Sequence, residues 1–157
     1  MNRSEPAAQS RTQSRTMIIY GLAMIVSLIG LGDSLYLTVQ HLSGRSVRCT
    51  VTNGCSAVLS SSYSTLAGIP TAAFGVLAYF AAFSLATLAV FGYAWARNGL
   101  ALLVLPMLGM SLWLVSVQAF KLHAFCEFCL LSAAMTLTLT LLVAAARFFR
   151  AANQSQS

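Results

Sequence analysis

The sequence predicts an all-α integral membrane protein: four transmembrane helices in a bundle, with a cysteine-containing exported loop between the first and second. Two observations carry that reading. Hydrophobic residues fill 58% of the 157 positions and charged residues 8%, against roughly 45–50% and about 25% in an ordinary soluble domain. The charges also leave long gaps, from Arg15 to Asp33, Arg48 to Arg97, Arg97 to Lys121 and Glu127 to Arg147, and a bilayer-crossing helix needs about 20 mostly apolar residues. The same composition excludes a soluble globular domain and an intrinsically disordered chain, which requires low hydrophobicity and high net charge. A net charge of +6 is no sign of nucleic acid, because the nine basic residues are scattered singly and form no stripe along which a phosphate backbone can run.

Residues 1–15 are polar and aperiodic, which predicts a disordered cytoplasmic tail. The apolar run behind them is too long, and lacks the small-residue cleavage site, for a signal peptide. The membrane domain is expected over 16–148, with a second cytoplasmic tail over 149–157. Span one runs from Met17 to Gln40, with Gly21, Gly30 and Gly32 for close helix approach and Asp33 near its far end. The loop from His41 to Pro70 is polar and carries an Asn53-Gly54 turn signal, two cysteines and three consecutive serines. Pro70 suits the first position of span two, which continues to Trp95, and Arg97-Asn98-Gly99 reads as a tight connection. Span three, Leu100 to Phe120, contains Pro106, which removes one backbone hydrogen bond and is expected to kink it. Lys121-Leu122-His123 connects to span four, Ala124 to Ala146.

Four spans put both termini and the Arg97 turn on one side. That side holds Arg3, Arg11, Arg15, Arg97, Arg147 and Arg150; the other holds Arg45, Arg48 and Lys121. The excess of basic residues places the termini in the cytoplasm, of a bacterial inner membrane, and all four cysteines on the exported face.

Those cysteines carry the chemistry. Cys126-Glu127-Phe128-Cys129 is a CxxC opening span four: residues three apart share a helix face, so the two thiols form or open a disulfide with little backbone movement. The helix N-terminus favours the thiolate. Cys49 and Cys55 make a second pair in the exported loop. Single cysteines are often plain buried hydrophobes, but two pairs at one membrane face in an oxidising compartment fit redox work better. Zinc is a competing reading, weakened because structural zinc sites usually present CxxC twice and the loop pair has five intervening residues; a static bridge between Cys49 and Cys55 is another. Two pairs in series make a relay in which a thiolate attacks a disulfide and the electron pair moves on through a mixed disulfide. With no haem-ligand or nucleotide-binding pattern in the chain, the natural final acceptor is a lipid-soluble quinone. Asp33 is either an ionisable group of function or a cap or partner for Arg45 or Arg48. The stripe Val58, Leu59, Tyr63, Leu66 marks 57–66 as either a lid over the bundle mouth or ordinary loop packing. Phe74, Phe83, Phe91, Trp113 and Phe120 read as core or lipid-facing rather than quinone-stacking.

Cys49, the run Gly54-Cys55-Ser56-Ala57-Val58-Leu59-Ser60-Ser61, Gly68-Ile69-Pro70, Phe74-Gly75 and Cys126-Glu127-Phe128-Cys129 with Leu131-Ser132-Ala133 together resemble the bacterial form of the vitamin K epoxide reductase family, over about residues 17–147. The resemblance implies a four-helix bundle around a quinone, whether ubiquinone, menaquinone or a phylloquinone-like species. It implies Cys126 and Cys129 as the redox centre with Cys129 nearer the ring, Cys49 and Cys55 as the shuttle pair, and Ser61 as a polar residue near the centre, with Ser61, Thr71, Phe74 and Cys129 as quinone contacts. Many bacterial relatives carry a fused thioredoxin-like domain; here the chain ends at Ser157, so a separate, exported DsbA-like protein is the expected partner. The animal enzymes are similar in using a tyrosine after the CxxC and an asparagine before the Phe-Gly; Ala133 and Thr71 stand there, which favours simple quinone reduction over epoxide reduction. The expected function is thus a membrane thiol–quinone oxidoreductase that reoxidises its partner and drives disulfide formation. The unrelated four-span DsbB-type oxidases have the opposite order of cysteine pairs. The alternative outside enzymes is a membrane subunit or metal-binding protein with structural cysteines.

Overall fold

The computed structural model describes residues 5–44, 55–59, 64–66 and 68–154. In chain order these form α1 (Glu5–Leu42), a short α2 (Cys55–Leu59), a two-residue hairpin of β1 (Thr65–Leu66) and β2 (Ile69–Pro70), then α3 (Thr71–Val90), α4 (Ala94–Val117), a π-helical turn (Gln118–Leu122) and α5 (Glu127–Gln154). Four stretches, Gln13–Leu42, Thr71–Val90, Ala94–Leu122 and Glu127–Ala152, are long and apolar enough to cross a membrane. The chain is an integral membrane protein. Its helices form a ring: α1 packs on α3 and α5, and α4 packs on the same two.

Small residues line the seams of that ring. The small buried residues on α1 include Ala23, Ser27, Gly30 and Ser34, one face at helical spacing; α3 answers with Ala82, Ala86 and Ala89, and α4 with Ala96 and Ala101. Lipid tails are as apolar as leucine, so large side chains gain nothing by turning inward and close backbone approach is what favours association. Many large ones face outward, with Ile18, Leu22, Ile25, Leu77, Phe80, Leu102, Leu105 and Leu141 exposed, while Tyr20, Tyr79, Leu100 and Leu139 fill the interior. Five hydroxyls inside the spans are satisfied locally. Ser27, Thr38, Thr87, Thr138 and Thr140 each donate to the carbonyl four residues back at 2.7–2.8 Å, which is how a polar group is tolerated where water is absent.

Three boundaries differ from the sequence reading. The expected tail 1–15 is helical from Glu5: its Ala, Gln and Arg residues are good helix formers, and Pro6 lies in the first turn, where a missing N–H costs nothing. At the other end α5 continues past the expected boundary at 148 to Gln154. The third difference is the connection between spans two and three, which is Phe91–Tyr93 and not Arg97–Gly99. Gly92 at φ +97° is the left-handed residue of a Schellman cap, its N–H donating to the Ala89 carbonyl at 3.1 Å and that of Tyr93 to Leu88 at 3.2 Å. Arg97 and Asn98 then lie in the first turns of α4. The Arg97 guanidinium closes onto the Gly92 carbonyl at 2.9 Å, and Asn98 accepts from Arg147 of α5 at 2.8 Å. Pro106 lies inside α4, which continues through it. The hairpin turns at Gly68, φ +80°, with Thr65 opposite Pro70 and Leu66 opposite Ile69.

Candidate functional site

The candidate site lies at the end of the bundle where α2, the hairpin and the π-helical turn gather. Past Val117 the α-helical ladder opens into the π turn, a feature common at functional sites. His123 then takes left-handed backbone, φ 46°, and the Ala124 N–H closes back on the Gln118 carbonyl at 3.3 Å. This reversal brings Cys126 over Gln118, and the Cys126 N–H donates to Gln118 Oε1 at 2.9 Å. The Cys126 carbonyl accepts the Leu130 N–H at 3.0 Å, so Cys126 sits at the head of α5. Phe128, inside the CxxC, lies against Tyr36 of α1 with ring centroids 5.2 Å apart, which anchors the head of α5 to the bundle.

Cys126 and Cys129 are free thiols. The Cys129 thiol hydrogen-bonds the Cys126 sulfur and lowers the Cys126 pKa from 9 to about 7; burial opposes that shift, and the backbone N–H groups of Cys129 and Phe128 reinforce it. The hydrogen bond from Cys129 thus favours the thiolate at Cys126.

Cys55 is disulfide-bonded. It opens α2 and is buried in one apolar cluster with Leu37, Val58 and Cys126, with Leu59, Leu122, Phe128 and Cys129 packed against it. Next to this cluster, within the bundle, is a cavity of about 360 Å³, within the roughly 300–1,000 Å³ usual for small-molecule sites. Its wall is mostly apolar, with Leu37, Val58, Leu59, Leu103, Met107 and Leu114. Cys129 reaches this wall. Tyr79 crosses it from α3, over Gly30 of α1, to α5, where its hydroxyl donates to the Ser132 carbonyl at 2.7 Å and lies 2.8 Å from Thr136 Oγ1.

A sequence model of the Vitamin K epoxide reductase family matches residues 22–144. The chain belongs to the vitamin K epoxide reductase family. A member of that family is a membrane oxidoreductase of the thiol–disulfide and quinone-reducing kind, and the matched residues span the whole site, from α1 to the last turns of α5 that pack in the bundle.

Against this family frame the sequence-predicted residues fall into place unequally. Cys55, Cys126 and Cys129 come together, and Thr71 and Phe74 line the cavity. The Thr71 hydroxyl donates to the Ser64 carbonyl at 2.8 Å and so ties the start of α3 to the loop. Cys49 and Ser61, like Arg45, Arg48 and Tyr63, lie outside the described residues. Of the candidate lid 57–66, helical structure reaches Leu59, and Val58 and Leu59 face the cavity. Asp33 does not lie on the cavity wall; its Oδ2 is buried without a hydrogen-bond partner among the described residues. Among those residues no three His, Cys, Asp or Glu side chains gather as metal ligands would. Sequence reasoning missed Gln118, Tyr79, Ser132 and Thr136. A signal was present for three of these: Gln118 is the one carboxamide of its span, and Ser132 and Thr136 stand four apart on one face of α5.

Proposed function

We propose that this protein reoxidises an exported thioredoxin-fold protein of the DsbA-like kind and passes the electron pair to a membrane quinone, so driving disulfide formation. The observation that carries the reading is the placement of the cysteines on either side of one helical turn: Cys126 is packed with disulfide-bonded Cys55, and Cys129 lines the apolar cavity. In the proposed cycle the partner's thiolate attacks the Cys49–Cys55 bridge, and Cys55, released, exchanges with the CxxC at Cys126. Each turnover oxidises one partner dithiol to a disulfide, and its two electrons and two protons leave with the acceptor. A bound quinone supplies the electron sink. The residues proposed to hold it are Thr71, Phe74 and Cys129, with Ser61 from the loop. The cysteine face is exported and the termini are cytoplasmic, by the distribution of basic residues given above.

The test is reconstitution in detergent with a reduced thioredoxin-fold protein and a short-chain quinone, following quinone absorbance. Cys126→Ala and Cys129→Ala should each abolish quinone reduction with any thiol donor. Cys49→Ala and Cys55→Ala should abolish it with the protein donor and spare it with a small dithiol that reaches the CxxC directly. Loop variants that keep full activity with the protein donor would overturn the relay.

A further inference from the structure

Gln118 is 1% exposed and lines the cavity, yet only half of its carboxamide is used. The buried N–H of Cys126 needs an acceptor, which fixes Oε1 toward Cys126 at 2.9 Å; with the oxygen committed, the amino group is turned the other way. That Nε2 is buried and has no hydrogen-bond partner among the described residues. A buried N–H left unmade costs free energy that a ligand oxygen recovers on binding, and in a predominantly apolar cavity such a donor also fixes orientation.

Resting on the quinone reading above, we infer that Gln118 donates a hydrogen bond from Nε2 to one carbonyl oxygen of the quinone, holding that end of the ring beside the CxxC. The other end of the same carboxamide holds the Cys126 backbone, so ligand position and CxxC position are tied through one side chain. Among the described residues, no other carboxamide lines the cavity. Three of the hydroxyls there are engaged elsewhere, Thr71 donating to Ser64 and Tyr79 and Thr136 to Ser132; Ser34, Ser111 and the His41 ring also line the cavity, but of the lining side chains Gln118 is the one tied to the Cys126 backbone. Hence Gln118 is a ligand-binding residue toward the acceptor and a positioning residue toward Cys126.

The test is a four-way binding comparison on oxidised protein in detergent, in which no turnover occurs. Wild type and Gln118→Met are titrated with 2,3-dimethyl-1,4-naphthoquinone and with 2,3-dimethylnaphthalene, which has the same shape and no carbonyls. The expected result is that Gln118→Met weakens the quinone about tenfold, the usual worth of one buried hydrogen bond, and leaves the hydrocarbon unchanged. An equal loss for both ligands would overturn the inference and leave Gln118 a structural support of Cys126. Wild type that binds the hydrocarbon and quinone equally would overturn it too. Wild type that binds neither would instead remove the quinone reading beneath it. Should Gln118→Met fail to fold, the infrared spectrum of the quinone bound to wild type decides: one carbonyl stretch lowered relative to the other is expected, and two unsplit stretches would refute the donor.

Discussion

Replacing Cys129 by Ala removes the largest cause of the low Cys126 pKa, the hydrogen bond from the Cys129 thiol, and the size of the effect follows from the structure. The drop is from 9 to about 7, a preference for the thiolate of a few kcal/mol at most. At pH 7 about half of Cys126 is then thiolate in wild type, against about 1% in a variant returned to 9, a ratio of roughly 50. The more acidic thiolate is the weaker nucleophile: with a Brønsted slope of about 0.4–0.5, each wild-type thiolate attacks a disulfide about 6- to 10-fold more slowly. The two effects combine to make Cys129→Ala about 5- to 8-fold slower at pH 7 and, once both thiols are ionised above pH 9, about 6- to 10-fold faster. The assay is the initial rate of exchange with a small apolar aromatic disulfide across pH 5–10, with peptide mapping to assign the adduct to Cys126. The crossing of the two profiles is the diagnostic feature. A Cys129→Ala profile that still rises near pH 7 would refute the reasoning and leave the pKa to the backbone N–H groups at the head of α5.

Gly30→Ala should destabilise the bundle by about 1–3 kcal/mol, because a Cβ there falls within 2.6 Å of the Tyr79 ring; thermal unfolding in detergent measures it, and an unchanged midpoint would mean that the ring has room to move. Tyr79→Phe should cost about 1 kcal/mol by the same measure, through loss of the bond to Ser132, with a Ser132→Ala variant losing much less since its backbone carbonyl stays. Gly92→Ala should cost at least 1–2 kcal/mol, roughly the penalty of left-handed backbone for a residue with a Cβ, since its φ is +97°; no loss would show that the cap relaxes. For topology, a membrane-impermeant thiol reagent applied to intact cells after reduction should label Cys49 or Cys55, and labelling confined to permeabilised cells would reverse the proposed orientation.

The four spans were legible because a bilayer imposes composition over a whole helix, and no tertiary contact is needed to read it. The CxxC was legible for the opposite reason: its chemistry is local, set by two thiols one turn apart at a helix start. What escaped is what depends on distant partners. Tyr79 becomes part of the site only through Ser132 and Thr136, 53 and 57 residues away. Gln118 matters because a π turn and a left-handed His123 fold the chain back over it, and no periodicity in QAFKLHAFC announces that reversal. The turn between α3 and α4 was misplaced because Arg97-Asn98-Gly99 looks more like a turn than Phe91-Gly92-Tyr93. In lipid the usual polarity of turns is a poor guide: Phe91 and Tyr93 are exposed where aromatic side chains are favoured at the membrane boundary, while Arg97 and Asn98 serve as the polar ties that hold that boundary together.

The geometry of α5 also explains why the proposed relay asks for a CxxC and not a single cysteine. An incoming thiol and a membrane-soluble acceptor occupy different media, and no one sulfur can face both. Cys126 lies just before the first residue of α5, in the cluster with Cys55, and Cys129 lies on the cavity wall. Three residues of helix separate them by about 4.5 Å along the axis while keeping them on one face. In the proposed relay that spacing would carry an electron pair from the loop side to the cavity side without a side chain having to cross the boundary. A longer spacing such as CxxxxxC would break the direct exchange between the two sulfurs, and CxC would put them on different faces of the helix. In the proposed relay the more acidic thiol belongs at Cys126, where it is the departing group when the loop bridge re-forms, and Cys129 belongs on the cavity wall, beside the proposed acceptor.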